Sequence, residues 1–501
     1  MKSANTITHE HWRDFLNTSL DERISRLHRQ SAQHTMLTLF RDAAATVPAY
    51  GQFLARHNVD VNTVQSIEEF QHLPLVTKDN YMRAYPLAQR CRDGRVQDCE
   101  MIAVSSGSTG QPMFWPRSLN HELDIATRFE QIFRHAFRAH ERSTLAVVCF
   151  AMGTWVGGIF TAQCCRYLSQ KGYPLTLVTP GSNPAEILRA VTELGPMFDQ
   201  VVLLGYPPFV KGVIDNGTAQ GIDWPALKPK LVFAGEVFSE EWRDILCRRI
   251  GSTSPCLDTA SLYGTADAGV LGNETPLSIA IRRMLSRRPD AARELFGESR
   301  LPTLVQFDPL SRYFEVVDDT LVVSGDNGVP LVRYHIADKG GVIEFNDMME
   351  FVNRRLGDPH NEADANAPWI THDLPFVYIF GRADFTVSYF GANIYPENIS
   401  VGLEQTKVRD YVSGKFVLDV LDNNDGNKCL SIAVELLPNI NASDELNQNI
   451  ATSIRQQLRR LNSEFAHYVP EQYQTPVITL HPNGDPSYFP AGVKHRYTRR
   501  P

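Results

Sequence analysis

The sequence predicts an α/β fold: a large N-terminal domain of layered sheets and helices, then a small C-terminal α+β domain. Three observations predict it. Short apolar runs at 145–150, 175–179, 201–204 and Lys230–Ala234 alternate with helical patterns, and each ends in turn residues. Runs of that kind are strands of a largely parallel sheet, covered by helices on both faces. The chain has 501 residues, more than one ordinary core accommodates, so two or three domains are expected. Past about residue 385 the pattern changes to strands at 415–420, 430–436 and 477–480, with a helix at 443–461 between the second and third.

Taken in order, residues 8–57 carry apolar positions at helical spacing, such as Met36, Leu39, Phe40 and Ala43. Pro74 then stops a helix and Thr77 is placed to cap the next. No chemistry is read from the neighbouring Lys78. Met101–Val104 is a short strand, and 120–140 a long helix. The strand at 145–150 runs into Ala151-Met152-Gly153-Thr154-Trp155-Val156-Gly157-Gly158. A strand closing in a glycine-rich aromatic turn is a frequent pocket site in α/β folds, and equally a place for close core packing. Residues 275–302 read as a helical elaboration whose arginines, Arg282 and Arg287 among them, form a solvated face. Residues 321–325 read as a strand and turn, and the polar stretch 347–375 as a long loop.

Composition narrows the class. With 43% hydrophobic and 21% charged residues the chain is that of a soluble globular protein. A formal net charge of −8 argues against a nucleic-acid partner. The eight cysteines (Cys91, Cys99, Cys149, Cys164, Cys165, Cys247, Cys256 and Cys429) form no CxxC pair, so the usual zinc and thioredoxin signals are missing. Such scattered thiols suit a reducing cytoplasm. No apolar signal region and no membrane span are expected.

The most informative stretch is Ser105-Ser106-Gly107-Ser108-Thr109-Gly110-Gln111-Pro112, directly after the strand Met101–Val104. Its glycines let successive N–H groups point one way, and with the hydroxyls they make a nest for phosphate oxygens. It lacks the Gly-Lys-Ser/Thr of the common P-loop. Taken alone, it could equally be a polar hairpin loop. Other chemistries find no support: His9-Glu10-His11 lacks zinc-protease spacing, and no Gly-x-Ser-x-Gly elbow occurs.

This loop resembles the phosphate-binding loop of the adenylate-forming (ANL) superfamily, and within it the phenylacetate–CoA ligase branch. The likeness recurs in order. His72-Leu73-Pro74-Leu75-Val76-Thr77-Lys78-Asp79 resembles that branch's N-terminal region; Tyr263-Gly264-Thr265-Ala266-Asp267 resembles its Tyr-Gly-x-Thr/Ser-Glu. Pro330-Leu331-Val332-Arg333-Tyr334 with Asp338 resembles Pro-Leu-Ile-Arg-Tyr-x-x-x-Asp. Phe380-Gly381-Arg382-Ala383-Asp384-Phe385 and Gly391-Ala392-Asn393-Ile394 resemble the hinge segment, and Gly492-Val493-Lys494 its C-terminal Gly-Lys.

The resemblance implies an ATP- and acyl-binding domain over 1–383 and a small mobile lid over 384–501, with Asp384 as hinge. It implies that Ser105, Ser106, Gly107, Ser108, Thr109 and Gly110 hold phosphates, and that Gly235, Glu236, Tyr263 and Gly264 receive adenine. Asp338 would bind ribose and Arg333 would stand near the phosphates or form a structural ion pair. Asp267 would hold magnesium, Lys494 would bridge carboxylate and α-phosphate, and Phe150, Met152 and Trp155 would line an acyl pocket suited to a flat aromatic acid. The implied reaction uses ATP and Mg2+ to turn a small-molecule carboxylate into an acyl-adenylate, then passes the acyl group to a thiol, usually that of coenzyme A. Ala266, Phe385 and Val493 depart from the pattern. A carrier protein or reductase as acceptor, as in aromatic or phenazine-type antibiotic pathways, and a non-catalytic nucleotide-binding relative stay open. So does a homodimer.

Overall fold

The computed structural model describes residues 4–104, 113–154, 156–298, 301–362, 369–382, 387–390, 392–422, 428–490, 495 and 497–498. The strands in chain order begin with β1 (Met101–Val104), β2 (Phe114–Arg117), β3 (Thr144–Val148), β4 (Leu175–Val178), β5 (Gln200–Gly205) and β6 (Lys230–Ala234). They continue with β7 (Thr259–Thr265), β8 (Gly269–Asn273), β9 (Thr303–Gln306), β10 (Tyr313–Val317), β11 (Thr320–Gly325), β12 (Leu331–Ile343) and β13 (Phe376–Arg382). The last five are β14 (Val387–Tyr389), β15 (Ala392–Ile394), β16 (Val412–Asp422), β17 (Lys428–Leu436) and β18 (Val477–His481).

Among the described residues, eleven strands form one sheet in the order β10-β11-β12-β13-β9-β8-β7-β6-β5-β3-β4. It is parallel only from β4 to β7, and antiparallel beyond. The expectation of a largely parallel sheet therefore holds for one end. The cause is connection length. Helices such as Val156–Gln170, Pro184–Leu194 and Pro207–Ala219 carry the chain back between the parallel strands. The link from β7 to β8 is three residues, and β10 turns into β11 through Asp318 (φ 48°) and Asp319 (φ 59°). Parallel neighbours need a crossover of a dozen residues, whereas two residues with positive φ close a hairpin.

The parallel strands alternate between two cores. Ala146, Val202, Leu204 and Val232 face one, and Leu145, Val147, Val201, Leu203, Leu231 and Phe233 the other. The N-terminal helices Ala32–Thr46 and Pro48–Arg56 bury Met36, Phe40 and Phe53 in a core shared with Leu321, Val323, Tyr334 and Val377 of the antiparallel end. In the C-terminal stretch β17 pairs antiparallel with β16 and parallel with β18. The helix Asp444–Leu461, capped by Ser443, buries Ile450, Ile454 and Leu458 there, in a core running from Tyr389 to Ile478.

Two expectations are corrected. The stretch 347–375 is not one loop: Phe345–Arg355 is a helix. Its Met348, Phe351 and Val352 stand at helical spacing within a polar sequence and bury one narrow face beside Leu304 and Phe376. Arg282 is not solvated. It is 3% exposed, pairs with Glu240, and donates to the Pro302 carbonyl at 2.7 Å and to that of Phe238. Arg287 does stay exposed. Among the described residues, no helix is long and apolar enough to cross a membrane.

Candidate active site

The phosphate-loop residues Ser105, Ser106, Gly107, Ser108, Thr109 and Gly110 lie outside the described residues, but their frame does not. β1 and β2, on either side of them, pair antiparallel with Val104 opposite Phe114. The Val104 N–H donates to the Thr154 carbonyl at 3.0 Å. This ties the strand entering the loop to the turn that follows β3. Phe150 and Met152 of that turn are half-buried, Phe150 over Gly157 and Met152 beside Gly181. Trp155 lies outside the described residues.

β6 ends in Gly235, at φ 91°, a conformation glycine adopts without cost. The ring of Tyr206, at the end of β5, lies against it. Burial, together with the neighbouring Glu236 carboxylate, holds the Tyr206 phenol well above its ordinary range.

Three residues expected in the nucleotide site lie near the end of β7, in the β7–β8 turn and within β12. Tyr263 Oη donates to Asp338 Oδ2 at 2.8 Å. Asp267, 4% exposed in the β7–β8 turn, accepts from Tyr334 Oη at 2.5 Å. Backbone strain shapes β12 here: Arg333 (φ 49°) and Ala337 (φ 65°) flank Tyr334, and the strand's register shifts against β11. Side chains other than glycine adopt such φ values only where the surroundings enforce them, and these cluster at functional sites. Gly264 has a steric reason: a Cβ there would lie 2.6 Å from the Gly269 carbonyl oxygen.

Two participants escaped the sequence reading. Lys78 Nζ lies 3.0 Å from Asp267 Oδ2. Its placement is local. Val76 pairs with β12, donating to the Arg333 carbonyl at 3.0 Å and accepting from the His335 N–H at 2.8 Å. Thr77 and Asn80 then cap each other's backbone reciprocally and start the turn Lys78–Met82. Arg117, at the end of β2, is fully buried; it donates to the Asp267 carbonyl at 3.1 Å and to that of Ala266. Burial depresses its guanidinium to about 10. The Thr-Lys-Asp run was a signal for Lys78; for Arg117 the sequence holds none.

By sequence, no family model and no curated protein matches the chain. By structure the match is broad. It covers 93% of this chain and 88% of a 2-hydroxyisobutyryl-CoA ligase crystallised in the postadenylation state with 2-HIB-AMP, at TM-score 0.65 and 14% identity. The same ligase with 2-HIB-AMP and CoA in the thioesterification state matches at TM-score 0.52 and 15% identity, covering 97% of this chain and 91% of the other. The chain has the fold of the adenylate-forming (ANL) ligases. Of the residues that the resemblance singled out in the sequence, Tyr263 contacts Asp338 directly, and Asp267 meets Tyr334 from the same strand as Asp338. The Arg333 side chain is held by Glu315 at 3.0 Å and by the Leu73 carbonyl, the structural ion pair that was one of its two readings.

Asp384 and Lys494 lie outside the described residues. Described residues on either side of Lys494 are docked. Phe489 is buried, His495 Nε2–H donates to the Phe416 carbonyl at 2.6 Å, and the Leu418 N–H donates to the Tyr497 carbonyl at 2.6 Å. Tyr497 lines a cavity with Glu236, Phe238 and Glu404, which brings this terminal segment to the large domain beside the Gly235-Glu236 turn.

Proposed function

We propose that the chain activates a carboxylic acid with ATP and transfers the acyl group to the thiol of coenzyme A. The observation that carries this is the convergence of Lys78, Tyr334 and Asp267 beside the Tyr263–Asp338 pair, in the order the motifs set. In the first step a carboxylate oxygen attacks the α-phosphorus and pyrophosphate leaves. Phosphoryl transfer of this kind is catalysed by positioning and by neutralising charge. The phosphate-loop hydroxyls and N–H groups take the terminal phosphates. Asp338 accepts from the ribose hydroxyls, and the aromatic face of Tyr263 carries the adenine. Arg117 holds the carbonyls on which the Asp267 turn rests. A buried carboxylate oxygen is the donor magnesium takes with phosphate oxygens, so Asp267 fits that ion, which when bound supplies charge neutralisation for the departing pyrophosphate. In the second step a thiolate attacks the acyl carbon and AMP leaves.

The acid we propose is planar and aromatic, because Phe150 and Met152 stand against glycines, which favours flat packing. Pyrophosphate exchange over benzoate-like, polycyclic, hydroxy and long-chain acids, followed by CoA-dependent AMP release, tests both halves. Exchange with aromatic acids is expected. Preference for long-chain acids would overturn the pocket reading, and no exchange with any acid would overturn the activity.

A further inference from the structure

Far from the nucleotide residues, a group of metal-ligating side chains joins three separate parts of the chain. Asp21 stands in the first turn of the helix Leu20–Leu27. His135 lies in the π-helical turn Ile132–Ala136 that ends the long helix after β2. His372 belongs to the segment leading into β13, and its carbonyl accepts from Gln306 Nε2 at 3.0 Å. We propose that His135 Nδ1, His372 Nε2 and the Asp21 carboxylate bind one divalent cation of the zinc class, which staples these three elements together.

The geometry supports it in four ways. His135 Nδ1 and His372 Nε2 are 3.0 Å apart, and two ring nitrogens on one tetrahedral zinc stand about 3.3 Å apart. Asp21 Oδ1 is 3.4 Å from His135 Nε2, and the donor atoms of all three residues lie within 4.8 Å of one another. The His135 ring is 4% exposed, with Nδ1 turned toward His372 and Nε2 toward Asp21. Asp21 is 53% exposed, free to turn from Nε2 toward the imidazole pair, while Arg134 stands 3.8 Å from its other oxygen. Water completes the coordination.

Each neutral imidazole carries one lone pair, so each ring supplies one donor nitrogen. Imidazole with one carboxylate selects zinc, cobalt or nickel over magnesium.

The test is calorimetric titration of the metal-free chain with Zn2+, without nucleotide and with excess Mg2+ to occupy oxygen-donor sites. One ion should bind, raise the thermal unfolding temperature by mass action, and be displaced by chelator. His135→Gln and His372→Gln should each weaken it by at least about tenfold. Titration of the parent with Co2+ gives an independent reading, because tetrahedral coordination by imidazole produces visible absorption bands; it needs no variant to fold. Absence of a saturable zinc site, or one that both substitutions leave intact, would overturn the proposal.

Discussion

At the residue scale the site is a set of shared charges. Asp267 Oδ2 is contacted both by Lys78 Nζ at 3.0 Å and by Tyr334 Oη at 2.5 Å. A Mg2+ ion at the proposed site would have to compete with that ammonium. Lys78→Ala removes the competitor and leaves a buried carboxylate without it. Breaking a fully buried pair costs about 3–5 kcal/mol, but Lys78 is 28% exposed, so a loss of about 1 kcal/mol is expected. Mg2+ should restore more stability to the variant than it adds to the parent, as urea unfolding with and without the ion would show. A loss that Mg2+ does not touch would place the ion elsewhere. Tyr263, Asp267 and Asp338 stood out in the sequence because they sit in short motifs. Arg117 did not: its contact with Asp267 spans 150 residues, and nothing near either partner encodes it.

At the element scale, legibility followed burial pattern. The parallel strands were readable because both faces are apolar. The antiparallel end was less so, since hairpin turns such as Asp318-Asp319 carry the direction change in two residues that read as polar surface. The helix Phe345–Arg355 was missed because three buried positions drive it and the rest of its surface is polar. The β7–β8 hairpin is the element on which the site depends most. It brings Tyr263 and Asp267 into place only because Gly264 lets the strands approach. In Gly264→Ala the new methyl meets the Gly269 oxygen at 2.6 Å, a contact that backbone must move to relieve. Overpacking of this kind costs about 1–3 kcal/mol. The expected outcome is a lower urea midpoint together with weaker ATP binding by calorimetry, since both tyrosine and acid shift. Unchanged binding would show that the hairpin does not set the nucleotide site.

At the scale of the whole molecule, the expected large and small domains meet in a contact that the proposed reaction would have to remake. The match is higher to the postadenylation structure of the hydroxyisobutyryl-CoA ligase than to its thioesterification structure. If Lys494 serves the first step alone, Lys494→Ala should slow pyrophosphate exchange by a factor on the order of 10²–10³ while leaving consumption of a pre-formed acyl-adenylate nearly intact; equal loss in both would remove it from that role. The contact itself is titratable. Glu404 of the small domain is buried and accepts from the Ser239 hydroxyl of the large one; Lys211 Nζ donates to the Val412 carbonyl at 3.4 Å across the same seam. Burial raises the Glu404 carboxyl to about 8, with Glu241 adding to the rise and Arg282 and Lys211 opposing it. A carboxyl raised on folding holds a proton that the unfolded chain has lost, so its contribution is complete below the ordinary carboxylate range and disappears as pH climbs through 8. The parent should therefore lose stability between pH 6 and pH 9, and above pH 8 the charged Glu404 should loosen the seam. Glu404→Gln, which keeps the shape and carries no proton to lose, should flatten that slope and leave the seam closed at pH 9. Urea unfolding at the two pH values reads the first effect, and protease susceptibility of the segment between the domains the second. A variant whose slope matches the parent would place the alkaline transition in another group.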